Sequence, residues 1–310
     1  MAKSVKADNG KRGQADRLVK KYTSGTYLRD LVESALEEDL GPGDVTNGIF
    51  AANMRGNAFL LAKQDGVLSG TDLVETVFRV LSRNTRVVWH IEAGQKFHKG
   101  DRLADIVGPM RVLLAGERVA LNFLQRMCGI ATMTGKFVEI VGKGKNRPGI
   151  YDTRKTTPLL RAFEKKAVTD GGGRNHRFAL YDMAMLKNNH IDAAGSIVEA
   201  VEQLRASGFD ARRLGLCIEA RTAEEAVEAT WCRADVIMLD NMTPAQIKAA
   251  AEKVTREAKA VGAPLPELEI SGGITLKNIA RYADLPVQRI SIGALTHSAP
   301  ALDISMRYED

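Results

Sequence analysis

Cysteine is scarce in this 310-residue chain: Cys128, Cys217 and Cys232 stand far apart, and no CxxC occurs. That excludes a disulfide scaffold, leaves no zinc signature and points to a reducing compartment. No run of about 18 apolar residues is present, which excludes a membrane-spanning helix. The opening stretch MAKSVKADNGKRGQADRLVKKY lacks the apolar core of a secretory signal. Together these absences predict a cytoplasmic protein. Walker A and GxGxxG fingerprints are also missing.

Charge of one sign is concentrated at one end. Residues 1–21 carry net +5 of the chain's total +6, so the high isoelectric point says little about the folded body. Residues 1–25 are expected to be a basic, disordered tail. Such a tail could touch RNA or an acidic surface, or simply be solvated. For the folded body, no nucleic-acid or membrane partner is expected.

What is present suits one large or two medium globular domains. Residues 26–40 show apolar positions at helical spacing, ended by GPGDVT. Strands are expected at 57–64, 84–91 and 101–107, with helices at 71–82 and 110–127, an α+β pattern. From about residue 148 the texture changes. Short apolar runs at 149–152, 183–186, 214–218, 235–239, 267–270 and 288–292 alternate with amphipathic stretches such as 193–206, 222–231 and 243–260. Repeated strand–helix units imply a parallel sheet covered by helices.

The residues that end each of these six runs bear on its architecture. They are Thr153-Arg154-Lys155, Lys187, Glu219, Asp240-Asn241, Ser271-Gly272-Gly273 and Gly293-Ala294. In an α/β barrel all strand ends converge on one mouth, whereas a doubly wound sheet gathers only those at its switch point. Chemistry at every end favours the barrel.

The window 151–190 is net +4. Arg161, Lys165 and Lys166 lie at helical spacing and read as a solvated face. Arg154, Lys155 and Lys187 sit where strands end, and a cationic cluster there calls for a compensating anion. That points to a multiply anionic small substrate, held by planar guanidinium forks and ammonium point charges. Gly171-Gly172-Gly173-Arg174-Asn175-His176-Arg177 is a glycine-rich loop running into cations, or a flexible connector. Glu219 and Asp240 end successive strands; they could hold Mg²⁺, act as an acid/base pair, or bridge to Arg154 and Lys187. The last two loops, each expected to precede a helix, suggest a phosphate site. Arg118, among apolar neighbours, is either a stripe-edge charge or a residue reaching across an interface.

These motifs, with Thr156-Thr157-Pro158, Lys187-Asn188-Asn189-His190, Met238-Leu239-Asp240-Asn241-Met242, Gly293-Ala294-Leu295-Thr296-His297-Ser298, Glu38-Asp39-Leu40-Gly41 and Gly43-Asp44-Val45-Thr46, run in order from about residue 27 to 308. So arranged, they resemble the quinolinate phosphoribosyltransferase family (nicotinate-nucleotide pyrophosphorylase, carboxylating). The resemblance implies an N-terminal α/β sandwich over 26–125 and a seven-stranded, TIM-like α/β barrel over 126–297. A segment over 298–310 would return to the first domain. It implies transfer of phosphoribosyl from phosphoribosyl pyrophosphate (PRPP) to quinolinate with loss of CO₂, in de novo NAD synthesis, with Mg²⁺ as cofactor. By the same match, Thr153, Arg154, His176, Arg177 and Lys187 would hold quinolinate, and Arg118 would reach in from the partner subunit of a homodimer. Lys155, Glu219 and Asp240 would be the catalytic set, the two carboxylates also holding Mg²⁺ or the ribose hydroxyls. Ser271, Gly272, Gly273, Gly293, Ala294 and His297 would cradle the 5′-phosphate.

Three positions depart from the pattern. Leu159 stands where the family usually has glycine, Asn188 where an acid follows the lysine, and Cys217 where many members carry a second glutamate. These bear on pocket shape and metal affinity. A paralog acting on another aromatic acid and a non-catalytic nucleotide-binding protein are the competing readings.

Overall fold

The computed structural model describes residues 13–142, 144, 146–211 and 213–309. Most of the expected basic tail, residues 1–12, lies outside the described residues. Within the tail's span, Gln14–Tyr22 forms a helix, α1, contrary to the expectation of disorder there. Among the described residues, no helix is long and apolar enough to cross a membrane.

The chain divides into two units. The first comprises Leu18–Gly135, Lys155–Gly173 and the chain from Leu295 onward. Helix α2 (Gly25–Leu40) buries Leu28, Val32 and Leu36, one residue per helical turn. Four strands form an antiparallel sheet in the order β12-β1-β5-β3: β1 (Arg55–Ala62), β3 (Arg86–Trp89), β5 (Arg102–Pro109) and β12 (Ile304–Glu309). Alternate burial along β1 places Ala58, Leu60 and Ala62 on the core face. A small ribbon, β2 (Gly66–Val67) with β4 (Lys96–Phe97), accompanies the sheet. Helix α3 (Thr71–Leu81) buries Leu73, Val74, Val77 and Phe78. The final strand is held by ladder bonds from Asn57↔Glu309 to Ala62↔Ile304 and by its approach to helix α4 (Met110–Val141). A Cβ on Gly129 of α4 would lie 2.1 Å from the Pro300 carbonyl oxygen, so only glycine admits this contact.

Helix α5 (Arg161–Asp170) corrects the solvated-face reading. Lys165 is fully buried, as is its neighbour Glu164. Glu164 accepts from the Thr157 amide (3.1 Å) and hydroxyl (2.8 Å) and pairs with Arg126 (2.8 Å). Arg161 donates to Thr156 Oγ1 at 3.0 Å. A buried charge is tolerated only with such partners. The stretch 155–173 thus groups with the antiparallel unit, although the sequence reading set it inside the barrel domain. The expected boundary at 125/126 also falls inside the continuous helix α4.

The second unit carries the parallel sheet. Its strands are β6 (Gly149–Tyr151), β7 (Met183–Leu186), β8 (Gly215–Ala220), β9 (Val236–Asp240), β10 (Glu267–Ser271) and β11 (Arg289–Ser291). The order is β6-β11-β10-β9-β8-β7. From β7 to β11 each strand lies beside its successor, and β11 lies beside β6, a cyclic order with no switch point in which β6 and β7 are the two edges. That is the topology of a barrel rather than of a doubly wound sheet. Among the described residues six strands form ladders. The free edge of β6 carries one further parallel bridge, Tyr151↔Arg174, with Arg174 N–H donating to the Ile150 carbonyl at 2.8 Å.

Helices follow the strands as side-chain caps dictate. Ser196 caps α7 (Ile197–Ala206), which Gly195-Ser196 separates from α6 (Asn188–Ala194), so the single stretch expected at 193–206 is two helices. Thr222 caps α8 (Ala223–Trp231), and Thr243 with Gln246 forms a capping box on α9 (Pro244–Ala260). On one sheet face Cys217, Val236 and Met238 pack with Met183 and Met185 as an apolar cluster.

Candidate active site

In the parallel unit the strand ends present the expected chemistry. Thr153 and Arg154 follow β6, Lys187 follows β7, Glu219 lies one residue before the end of β8, and Asp240 ends β9. Ser271 ends β10, while Gly293 and Ala294 follow β11. Registered pairs Glu219↔Met238 and Met238↔Glu269 set two carboxylates on one face with a methionine between them.

The acids are already partly engaged. Glu219 Oε2 accepts from the Asn188 amide at 3.1 Å, and Oε1 lies 4.0 Å from Lys187 Nζ. Asp240 Oδ2 accepts from Asn241 Nδ2 at 3.1 Å. Among the described residues no group of three or more His, Cys, Asp or Glu forms a metal cage. Two hard carboxylates on neighbouring strands nonetheless suit Mg²⁺, which keeps its waters and completes its shell with substrate phosphate oxygens.

Arg177 is the buried cation of the set. Burial, and then the charge of Arg154, pull its pKa down. Its Nη1 donates to the Met183 carbonyl at 3.1 Å, and it makes no ion pair among the described residues. The Arg154 charge on a buried Arg177 guanidinium, which Asp182 and Glu219 only partly offset, favours an anion beside it.

The segment that carries Arg177 is held in an unusual way. Four successive amides donate to side chains: His176 N–H to Asp152 Oδ1 (2.8 Å), Arg177 N–H to His176 Nδ1 (2.7 Å), Phe178 N–H to Asp182 Oδ2 (2.6 Å) and Ala179 N–H to Asp182 Oδ1 (2.7 Å). Asp152, His176 and Asp182 are all buried. His176 Nε2 lies 3.3 Å from Oε2 of Glu269, which is fully buried. Burial would raise the Glu269 pKa, but His176 and Arg289 outweigh it and hold the carboxyl below its ordinary value. Arg289 itself pairs with Glu267 and stacks over the Tyr151 ring at 4.8 Å.

The loop after β10 turns at Gly272 (φ 98°) and Gly273 (φ 62°). A Cβ on Gly272 would fall 2.1 Å from Asn241 Oδ1, and the Asn241 amide donates to the Ser271 carbonyl at 3.0 Å. Asn241 therefore ties the loops after β9 and β10 together. The helices expected after these loops are short: a 3₁₀ turn at Ile279–Tyr282 and a four-residue helix, α10 (Ala294–His297). Main-chain N–H groups of the glycine loops, rather than a long helix dipole, are the phosphate donors on offer.

The remaining expected residues belong to the antiparallel unit. Arg118 is exposed on α4. Lys155 is exposed, and its carbonyl accepts from Thr296 Oγ1 at 2.7 Å. His297 is exposed, with Nδ1 2.6 Å from Ser298 Oγ. Asp152, Asp182, Asn241 and Glu269 were not among the expected site residues. A charged residue within an apolar strand, such as Glu269 in ELEIS or Asp152 closing GIYD, is the signal that marks two of them.

Comparison with known proteins divides the chain once, near residue 129. The family model for the quinolinate phosphoribosyl transferase N-terminal domain matches residues 44–128, and that for the C-terminal domain matches residues 130–307. A Bacillus subtilis protein named probable nicotinate-nucleotide pyrophosphorylase [carboxylating] is 40% identical over 279 residues, covering 90% of this chain and 92% of its own. A mitochondrial quinolinate phosphoribosyltransferase [decarboxylating] of Nicotiana tabacum is 37% identical over 302 residues, covering 94% of this chain and 85% of its own. The crystal structure of NadC from Streptococcus pyogenes superposes with a TM-score of 0.83 at 39% identity, covering 91% of this chain and 96% of that one.

Proposed function

The chain belongs to the quinolinate phosphoribosyltransferase family, and from that premise we propose how its residues divide the work. It is a carboxylating nicotinate-nucleotide pyrophosphorylase. It transfers phosphoribosyl from PRPP to quinolinate, releasing pyrophosphate and CO₂ and leaving nicotinate mononucleotide for NAD synthesis.

Arg154, Arg177 and Lys187, with Thr153, take the two carboxylates of quinolinate. The observation that carries this assignment is the buried Arg177 guanidinium, crowded by Arg154 and without an ion pair of its own. Held this way, the pyridine nitrogen faces the ribose carbon that loses pyrophosphate. Glu219 and Asp240 hold the ribose hydroxyls or Mg²⁺, which when bound neutralises the departing pyrophosphate. The loops Ser271–Gly273 and Gly293–Ala294 take the 5′-phosphate. Sequence match alone supports three further assignments: Lys155 at the pyrophosphate, His297 at the phosphate, and Arg118 supplied by the partner subunit of a homodimer. No side-chain nucleophile is required. Ribosylation makes the ring an electron sink, so the adjacent carboxylate can depart as CO₂. The protein's contribution is the positioning of two anions against each other. A cytoplasmic location is supported by three free, buried cysteines.

The test is a spectrophotometric assay with quinolinate, PRPP and Mg²⁺, with nicotinate as a competing acceptor. Quinolinate-dependent formation of the mononucleotide, lost in EDTA and restored by Mg²⁺, is the expected result. Turnover of nicotinate in preference would overturn the substrate assignment, and full activity in EDTA would overturn the metal assignment.

A further inference from the structure

We propose that Arg126 and Glu164 are positioning residues for PRPP: their ion pair closes a ring of hydrogen bonds that fixes the main chain at Lys155 and at His297 together. That Lys155 meets the pyrophosphate and His297 the 5′-phosphate is taken from the proposed function. The ring adds what holds the two in one arrangement.

It can be followed atom by atom, and all of it belongs to the antiparallel unit. Thr296 Oγ1 donates to the Lys155 carbonyl at 2.7 Å. The Thr296 carbonyl in turn accepts from Arg126 Nη2. The same nitrogen lies 2.8 Å from Glu164 Oε1, and Nε donates to that oxygen at 3.2 Å. Glu164 also accepts from Thr157, with Oε1 2.8 Å from the hydroxyl and Oε2 3.1 Å from the amide. Thr157 stands two residues after Lys155, so the path returns to its start. Arg126 Nη1 donates to the Ala299 carbonyl at 3.1 Å, which holds the chain on the far side of His297.

Physical chemistry accounts for these residue types. Glu164 is fully buried, and a carboxylate there is costly without donors. It receives two N–H groups of one guanidinium, a hydroxyl and an amide. A planar guanidinium with five N–H donors can serve a carboxylate and two carbonyls at once, whereas an ammonium has three donors on a single atom. Regular secondary structure does little to place the two outward residues. Lys155 lies in no helix or strand, and His297 ends a four-residue helix. Both side chains are exposed, while Thr296 and Glu164 behind them are buried.

The shared ring couples two places where one PRPP molecule would be held. The Lys155 carbonyl leans on Thr296, and Thr296 leans on Arg126. Arg177 and Lys187, which take quinolinate in the same reading, are not members of the ring. A loss confined to PRPP is therefore the signature of positioning, whereas a general loosening of the fold weakens both substrates.

The experiment is a pair of calorimetric titrations on full-length variants, one with PRPP and Mg²⁺ and one with quinolinate. Thr296→Val removes the hydroxyl at nearly constant volume and leaves the Lys155 carbonyl without that donor, while Thr296→Ser keeps it. Thr296→Val should bind PRPP about tenfold more weakly and Thr296→Ser within about twofold of the native protein, with quinolinate binding unchanged in both. Arg126→Ala leaves Glu164 an uncompensated buried charge and endangers the fold, so Arg126→Lys is the variant of choice. It keeps a cation beside Glu164 but cannot span the two carbonyls, and it too should cost about tenfold in PRPP binding alone. In a Lys155→Ala background Thr296→Val should cost less than about twofold more, since the two changes act on one contact.

Unchanged PRPP binding in Thr296→Val and Arg126→Lys, or equal losses for the two substrates, overturns the proposal. Losses that multiply fully in the double variant overturn it as well, because Thr296 would then act elsewhere than on Lys155. The underlying reading has its own control. Undiminished PRPP binding in Lys155→Ala and in His297→Ala removes their phosphate roles and the proposal with them, whereas losses there without losses in Thr296→Val and Arg126→Lys overturn the ring alone.

Discussion

The Tyr27 hydroxyl donates to the Leu159 carbonyl at 2.8 Å and so clamps a leucine whose backbone sits at φ 67°. An L-residue with a Cβ strains there by about 1–2 kcal/mol, whereas glycine does not. Leu159 is also 71% exposed, so its side chain returns little packing energy. Leu159→Gly is expected to stabilise the protein by up to about 1 kcal/mol, because relief of strain exceeds the extra entropy glycine gives the unfolded chain. Leu159→Ala keeps the strain and should leave the melting midpoint unchanged. Denaturant unfolding of the two variants checks this, and a glycine variant no more stable than the alanine one would contradict it.

Arg177 should show its chemistry in a split between the two substrates. Loss of two charge-assisted bonds at about 1.5–3 kcal/mol each predicts more than a hundredfold weaker quinolinate binding in Arg177→Ala. PRPP binding should change little. Arg177→Lys should recover only a small part of the loss, since an ammonium cannot offer a planar fork from the same buried position. Separate calorimetric titrations of the two ligands measure both numbers, and equal losses for the two would refute the assignment.

The limits of what the linear chain reveals follow the physics of each element. The six parallel strands lie within about two residues of their expected positions, because buried parallel strands are short apolar runs between turn signals. Their terminal residues were legible for the same reason: Lys187, Glu219 and Asp240 interrupt apolar runs. The spacing predicts an end to helix α4 at 127, but it continues to Val141: Gly129 and Gly135 stay helical inside it, Gly129 where the chain at Pro300 packs against it, and the helix ends at Gly142, whose φ is 79°. Lys165 and a solvated lysine share the same helical spacing, so only the packed structure reveals that it is buried. Glu269 is harder still. Alternation places Glu267 and Glu269 on one face, but whether that face meets water or the interior depends on which strands close over it. The use of His176 Nδ1 for a backbone amide depends on a local geometry that no spacing encodes.

Thiol chemistry gives a prediction with a definite sign. Burial pushes the Cys128 thiol up to about 12, and burial likewise raises Cys217 and Cys232. A raised thiol pKa leaves almost no thiolate at neutral pH, so none of the three should react quickly with a disulfide reagent in the native state. All three should react in denaturant. The linkage runs the same way: the unfolded thiol ionises near 9.0 and the folded Cys128 only near 12. Stability is therefore complete below about 9.0 and declines as pH rises between those values. Rapid modification of even one cysteine in the folded protein would count against this burial.

Gly272 offers the mirror image of the Arg177 experiment. Its φ of 98° disfavours any residue with a Cβ, and that Cβ would meet Asn241 Oδ1 at 2.1 Å. Gly272→Ala must therefore displace Asn241, which donates to Asp240 Oδ2 at 3.1 Å. Backbone strain adds about 1–2 kcal/mol to the cost. The expected result is at least tenfold weaker PRPP binding with quinolinate binding retained, the reverse of the pattern for Arg177→Ala. The double variant Gly272→Ala with Asn241→Gly removes the collision but not the backbone strain. It should regain stability relative to Gly272→Ala alone while PRPP binding stays weak, because the loop amides remain misplaced and Asp240 has lost its partner. Full recovery of PRPP binding in the double variant would mean that the collision alone disabled the loop, and that neither the left-handed turn nor the Asn241–Asp240 bond contributes to holding the phosphoribosyl group.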